Sequence, residues 1–204
     1  MSAEQVYVFR AGSLGDTIVS LPAWQVISQR HPGRPLHLIT PSQRIPGIPD
    51  TADVYRLTGL LGEVIRYDSS SAGLVRTAAA VRQVGRGIVY CLMAERPTIR
   101  HLRDAVFMRL MLGLKIRGLM PAIQLNRRLH AERAVEVAMP EWQRLLACAG
   151  GNSASLSLPL LEPTPEAGDT VARALEPIRN APFLVACPGS KMPAKRWPKE
   201  RYQA

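Results

Sequence analysis

Cysteines and long apolar runs, the marks of disulfide-stabilised and membrane-spanning proteins, are both scarce in this sequence. Its 204 residues include three cysteines, an odd number, which are widely spaced and never form a C-x-x-C pair. This argues against a disulfide framework and a zinc site, and it favours a reducing compartment with the thiols as small buried apolar groups. A membrane-spanning helix needs about 18 consecutive apolar residues, and no apolar run here is that long. The polar start MSAEQ gives no secretion signal, so we expect a soluble, cytoplasmic protein. The cysteines are Cys91, Cys148 and Cys187.

Aromatic and acidic residues are also in short supply. Aromatics make up 5% of the chain, so leucine, valine, isoleucine and alanine must form most of the core. Lysines and arginines number 26 against 16 aspartates and glutamates, which gives a net charge of +10. Most of these cations are arginines, which prefer planar, bidentate contacts to phosphate and carboxylate groups. The charge predicts an anionic partner, either nucleic acid, an acidic membrane surface or a phosphorylated substrate, without choosing among them.

The first apolar segments predict a strand, a helix and a second strand. Residues 6–9 are β-branched and aromatic, and 35–40 form a similar run. Between them, apolar positions recur at helical spacing, although Pro22 removes a hydrogen-bond donor, so the helix either begins near Ser20 or kinks. Two strands joined by a helix within so few residues form a βαβ unit, which predicts a parallel sheet.

The same alternation continues along the chain and indicates an α/β fold. A proline-rich linker over 158–167 then precedes a new α/β unit. We predict an N-terminal Rossmann-like domain over residues 1–160 and the beginning of a second one over 161–204. The further predicted strands are 63–68, 87–93, 114–119 and 183–187, and the predicted helices are 72–84, 99–113, 166–178 and helical stretches over 130–151 that break at Pro140.

The loop RAGSLGD, residues 10–16, follows the first strand, where ligands gather in parallel α/β sheets. Gly12 and Gly15 permit close backbone approaches, but their spacing matches neither a dinucleotide fingerprint nor a P-loop. Asp16 then has two interpretations that do not exclude each other. It is either the N-cap of the following helix or a general base beside a bound hydroxyl.

A second cluster, CPGSKMPAKRWPKERY, covers residues 187–202. Its Gly-Ser turn and two lysines, Lys191 and Lys195, predict a cradle for a diphosphate. The alternative is a solvated basic turn. The four histidines, His31, His37, His101 and His130, show no metal-ligand spacing, so surface or capping positions are expected for them.

Two stretches together resemble the family 9 glycosyltransferases, which are the lipopolysaccharide heptosyltransferases and their relatives. They are FRAGSLGDTIVSLPAWQVISQRHP and VACPGSKMPAKRWPKERY, and the intervening RDAVFMRLMLGLKIRGL is also similar to that family's first domain. The likeness extends over essentially the whole chain. It implies a GT-B architecture, in which two Rossmann-like domains hold the acceptor and the nucleotide-sugar donor.

The resemblance also implies a reaction. It is the inverting, metal-independent transfer of a sugar, a heptose, from a nucleotide-diphosphate sugar to a lipopolysaccharide core or related cell-envelope glycan. No cofactor is expected beyond the co-substrate, which would be ADP-heptose. The acceptor would be an anionic glycolipid, nucleic acid is not the expected partner, and peripheral contact with the cytoplasmic face of the inner membrane is compatible with the charge.

The family's site residues carry over to matching positions here. Asp16 is implied as the catalytic base, and Lys195 as the cation that neutralises the leaving diphosphate. Arg100 and Arg103 are assigned either to the acidic acceptor or to a solvated helix face. The full predicted sets, in which Arg100 and Arg103 rest on their charge alone, are Gly12, Ser13, Leu14, Gly15, Arg100 and Arg103 for the acceptor and Gly189, Ser190, Lys191 and Lys195 for the donor.

The resemblance stops short of the family's remaining donor-domain motifs, because the sequence ends just after KRWPKERYQA. The 204-residue form is therefore expected to be inactive alone. Two other functions stay open on the residues themselves. One is a basic Rossmann-like module that binds nucleic acid or another anionic partner without catalysis, and the other is a different nucleotide-using enzyme on the same fold.

Overall fold

Five strands form one sheet in which every neighbouring pair is parallel, as the α/β pattern predicts. The computed structural model describes residues 4–41, 49–93, 98–124, 140–152, 161, 164–178 and 181–182. The strand order is β3-β2-β1-β4-β5. The prediction of a Rossmann-like domain with a parallel sheet is therefore confirmed. The strands are β1 (Gln5–Phe9), β2 (Leu36–Pro41), β3 (Leu61–Tyr67), β4 (Gly87–Cys91) and β5 (Lys115–Arg117).

Helices connect these strands along the chain. Two of them, α2 and α5, were not predicted from the sequence. Asp50 caps α2, because its carboxylate accepts hydrogen bonds from the backbone N–H groups of Ala52 at 2.8 Å and Asp53 at 3.2 Å. The helices are α1 (Leu14–Arg30), α2 (Thr51–Arg56), α3 (Ser71–Val84), α4 (Thr98–Val106, continued by a π-helical turn Phe107–Met111), α5 (119–124), α6 (Glu141–Cys148) and α7 (Pro165–Leu175, followed by a 3-10 turn Glu176–Ile178).

For the first helix, the alternative of a start near Ser20 is wrong. α1 begins at Leu14, and Pro22 lies inside it. The other alternative, a kinked helix, stays a prediction. A proline in a helix interior costs about 3 kcal/mol. Leu21 and Ile27 on the same helix are buried, and burying each contributes about 1.5–3 kcal/mol, which offsets that cost.

Apolar side chains cover both faces of the sheet. On one face, α1, α2 and α6 pack over the sheet, and the indole of Trp24 stacks on Tyr55 with ring centroids 3.9 Å apart. On the other face, α3 and α4 pack over Tyr7 and Phe9. Parallel sheets are stable when both faces are covered in this way.

Several single-residue expectations can be checked directly. Cys91 and Cys148 are free and buried, as predicted, whereas Cys187 lies outside the described residues. His31 is the C-cap of α1, but the surface or capping expectation is wrong for His37 and His101, which are both buried. His130 lies outside the described residues.

The chain divides into two compact units, Met1–Glu162 and Pro163–Ala204. The assignment of residues 161–204 to the start of a nucleotide-sugar-binding domain stays a prediction, since the expected strand 183–187 lies outside the described residues. Across the described ranges, no helix combines the length and apolar character needed to cross a bilayer.

Candidate functional site

The strand order places a crevice at one point of the sheet. After β3, the chain crosses over β2 and β1 to form β4, so the direction of winding reverses between β1 and β4. The backbone N–H of Leu92 donates to the carbonyl of Phe9 at 3.0 Å, which aligns the carboxyl ends of these two strands. Open parallel sheets bind ligands at such a reversal point, outside the carboxyl ends of the strands. The glycine loop begins there.

The Asp16 carboxylate turns back toward this loop. Asp16 is the third residue of α1, and the N-cap is Ser13, so the interpretation of Asp16 as the N-cap is wrong. The backbone N–H of Ser13 donates to Asp16 Oδ2 at 2.5 Å, a contact of the capping-box type. The carboxylate is half-buried. It is thus held at the carboxyl edge of the sheet by its own loop.

Gly12 is required by this arrangement. A Cβ atom at Gly12 would lie 2.6 Å from the Cβ of Asp16 and 3.0 Å from its Oδ2. The backbone can approach the carboxylate only because no side chain intervenes. At Gly15 a Cβ would meet no atom within 4 Å, so that glycine serves no such approach.

A buried arginine, which no local pattern in the sequence indicates, lies beneath the loop. Arg10 is 2% exposed. Its Nη1 donates to the carbonyl of Leu92 at 2.7 Å, and its Nη2 donates to the carbonyl of Asp16 at 2.6 Å. Nη2 also pairs with Glu141 Oε1 at 3.2 Å. One side chain therefore joins the end of β4, the first turn of α1 and the start of α6.

Two further contacts fix the loop. The backbone N–H of Ala11 donates to the sulfur of Met93 at 3.1 Å, just beyond β4. The hydroxyl of Thr17 donates to the carbonyl of Ser13 at 2.9 Å and lies 3.1 Å from the hydroxyl of Thr51 on α2. A loop held from both sides presents its carboxylate in one position, which lowers the cost of aligning it with a substrate.

The predicted acceptor residues divide into two groups. Those of the loop come together around Asp16, with Leu14 exposed. Arg100 and Arg103 are exposed on α4, and Arg103 donates from Nε and Nη2 to Asp104 Oδ1 at 3.0 and 2.7 Å. Hydrogen bonding to Asp104 raises the pKa of the Arg103 guanidinium above its ordinary value. The acceptor role of both arginines stays a prediction, and the donor residues Gly189, Ser190, Lys191 and Lys195 lie outside the described residues.

A cavity of about 480 Å³ lies elsewhere, between the C-terminal ends of α1 and α6. Arg30, His31, Tyr90 and Arg117 line it, and the glycine loop does not. Within the described part of the chain, no group of histidine, cysteine, aspartate or glutamate side chains is placed to hold a metal ion.

Comparison with known proteins bears on the fold of this chain. No family model matches the sequence, and no curated protein is significantly similar to it. Among solved structures, the chain is similar to a glycosyl transferase family 9 protein from Veillonella parvula DSM 2008, with a TM-score of 0.55 and 19% identity. That match covers 99% of this chain and 59% of the other.

Two Escherichia coli structures are similar in the same way. ADP-heptose lps heptosyltransferase II matches with a TM-score of 0.53 and 15% identity over 97% of this chain and 59% of that one. Heptosyltransferase WaaC, solved with ADP-2-deoxy-2-fluoro heptose, matches with a TM-score of 0.54 and 15% identity over 98% and 63%. The chain thus spans about three fifths of each, and it shares its fold with these glycosyltransferases.

Proposed function

We propose that this chain contributes the acceptor-side domain and the catalytic base of an inverting, metal-independent glycosyltransferase. The observation that carries the proposal is the Asp16 carboxylate, which is held by the Ser13 N–H at the reversal point of the sheet. The similarity in fold to ADP-heptose-dependent transferases suggests a nucleotide-diphosphate heptose as donor and an anionic cell-envelope glycan as acceptor.

The proposed chemistry is a single displacement. Asp16 takes the proton of the acceptor hydroxyl as that oxygen attacks the anomeric carbon of the donor sugar. The bond from that carbon to the diphosphate oxygen breaks, and its electron pair leaves with the diphosphate. Lys195 would neutralise the charge that grows there. Because the acceptor oxygen attacks the face opposite the departing diphosphate, the configuration at the anomeric carbon inverts.

The decisive experiment compares two aspartates with the same structural role. Asp16 and Asp53 are both the third residue of a helix, and each accepts a hydrogen bond from its N-cap backbone N–H, at 2.5 Å from Ser13 and 2.9 Å from Asp50. Asp16→Asn and Asp53→Asn should therefore cost similar amounts of stability, since the exposed ion pair of Asp53 with Arg56 adds only about 0.5 kcal/mol or less. Only Asp16→Asn removes the proposed base.

The assay is transfer of heptose from ADP-heptose to a lipopolysaccharide-core acceptor by the protein from the complete gene. For Asp16→Asn we expect kcat to fall about 10²–10⁴-fold with donor affinity unchanged, and for Asp53→Asn we expect normal kcat. Normal turnover by Asp16→Asn would refute the assignment of the base. If the wild type transfers no sugar from any nucleotide-diphosphate donor but binds DNA with a steep salt dependence, the protein is instead a basic binding module.

A further inference from the structure

The solvent-facing side of α4 carries large apolar side chains instead of polar ones. Ile99 is 76% exposed and Leu110 is 75% exposed, and Leu102 and Val106 between them are also exposed. Spacings of three, four and four residues place all four on one side of the helix. We name this set the α4 stripe. The opposite side packs onto the sheet and includes His101, Asp104, Met108 and Leu112, all of them buried.

Arginines flank the α4 stripe on both sides. Arg100, Arg103 and Arg109 are all exposed, whereas the helix's acidic residue, Asp104, is buried and bonded to Arg103. The solvent side of α4 is therefore apolar along its centre and cationic along its margins. The 14 residues of α4 and its π-helical turn extend about 21 Å, which is too short to cross a bilayer. A helix of this length with one apolar side can lie parallel to the membrane surface, in the headgroup region.

We propose that the α4 stripe docks on an anionic lipid bilayer, with the apolar side chains below the headgroups and the arginines among the lipid phosphates. Charge favours this occupant over a second copy of the chain, because two stripes facing each other would bring the arginines of both together. The net charge of +10 adds to the attraction of an acidic membrane surface.

The position of α4 connects this surface to the candidate site. α4 follows β4, whose carboxyl end pairs with that of β1 through Cys91 and Phe9. The N-terminal end of α4 therefore belongs to the same edge of the sheet as the Asp16 loop. If the proposed function holds, docking by α4 brings that edge to a membrane-anchored acceptor, but the docking itself requires neither donor nor catalysis.

The test is co-sedimentation of the 204-residue chain with vesicles of phosphatidylcholine alone or mixed with phosphatidylglycerol. We expect binding only to the mixed vesicles, and binding that weakens as salt is added. Ile99→Ser with Leu110→Ser should weaken it by at least about tenfold. Both side chains point to solvent, so the fold is retained. Val75→Ser, at an exposed position on α3, is the matched control and should bind normally.

A second pair of variants distinguishes binding through the arginines beside the α4 stripe from binding through the net charge of the chain. Arg100→Gln with Arg109→Gln should weaken binding about 20-fold or more, at about fivefold for each arginine. Arg34→Gln with Arg56→Gln removes the same charge from exposed positions outside α4 and should weaken it much less. Equal losses in the two pairs would overturn the proposal in favour of general electrostatic attraction.

Three other results would overturn it as well. The first is that the wild type does not bind the mixed vesicles, and the second is that the Ile99→Ser, Leu110→Ser variant binds them as well as the wild type does. The third is that the free chain forms a dimer that this variant abolishes, because the stripe would then be an interface between copies. If the chain binds vesicles but the protein from the complete gene transfers no sugar, only the proposed function is contradicted. If that protein transfers sugar but the chain does not bind vesicles, only this inference is contradicted.

Discussion

Replacing Arg10 with methionine would remove a buried guanidinium that links three elements around the Asp16 loop. This guanidinium joins the end of β4, the first turn of α1 and the start of α6. Methionine is unbranched and apolar, so it fills most of the same space. The variant therefore tests the hydrogen bonds and the ion pair rather than the packing.

The cost can be estimated from the partners left behind. Without Arg10, the carbonyls of Leu92 and Asp16 lose their guanidinium donors, at about 1–3 kcal/mol for each buried acceptor. Glu141 is 33% exposed, so its carboxylate can turn to water at little cost. Arg10 Nε is buried without a hydrogen-bond partner in the described structure, so removing the cation also recovers some desolvation energy. We expect a net loss of about 2–4 kcal/mol in the free energy of unfolding.

Urea unfolding, monitored by tryptophan fluorescence, measures this loss in the free energy of unfolding. Trp24 is buried against Tyr55 and reports on the core next to α1. The control is Arg56→Met, which removes an exposed arginine paired with Asp53 and should change the free energy by about 0.5 kcal/mol or less. Equal effects of the two substitutions would refute the role of Arg10 as the residue that organises the loop.

Two further predictions concern the loop and the sheet. Gly12→Ala should lower the free energy of unfolding by about 1–3 kcal/mol, because its Cβ would collide with Asp16, whereas Gly15→Ala should raise it by about 0.5–1 kcal/mol. Urea midpoints measure both, and stabilisation by both would contradict the close approach at Gly12. Burial lowers the pKa of His37, whose Nδ1 accepts a hydrogen bond from the Glu63 N–H at 3.0 Å. The imidazole of His37 therefore binds a proton more readily in the unfolded chain than in the folded one. The contribution of His37 to stability is fully present above about pH 6.5 and is lost as the pH falls below that value. His37→Gln should show a smaller loss of stability between about pH 7.5 and 5.5 than the wild type, and an equal loss would contradict this prediction.

Local patterns in the sequence predicted most of the sheet. Apolar runs near 6–9, 35–40 and 87–93 correspond to β1, β2 and β4, because a strand buried on both faces must be apolar at nearly every position. The alternative of a start near Ser20 followed from the local penalty of Pro22, and it is wrong because the burial of Leu21 and Ile27 offsets that penalty. α2 was missed because six residues are too few to show a helical period, although the D-T-A-D of residues 50–53 is a capping signal.

The candidate site was predicted in part. The glycine loop and Asp16 could be identified because a loop after the first strand of an α/β fold lies where ligands bind. The N-cap interpretation failed because Ser13 and Asp16 are both capping residue types, and only the backbone shows which of them precedes the helix. Arg10 and Glu141 are 131 residues apart, so no local pattern could pair them.

The sequence alone thus determined the strands, most of the helices and the place of Asp16 in the loop after β1, because each follows from residue types at short spacing. The tertiary structure decided what lies beneath and around them. Buried partners such as Arg10 depend on how distant segments meet. The α4 stripe shows the same limit, because helical spacing places residues on one side of a helix without specifying which side packs onto the sheet. That choice is made only when the other elements cover His101 and Met108 and leave Ile99 and Leu110 in water.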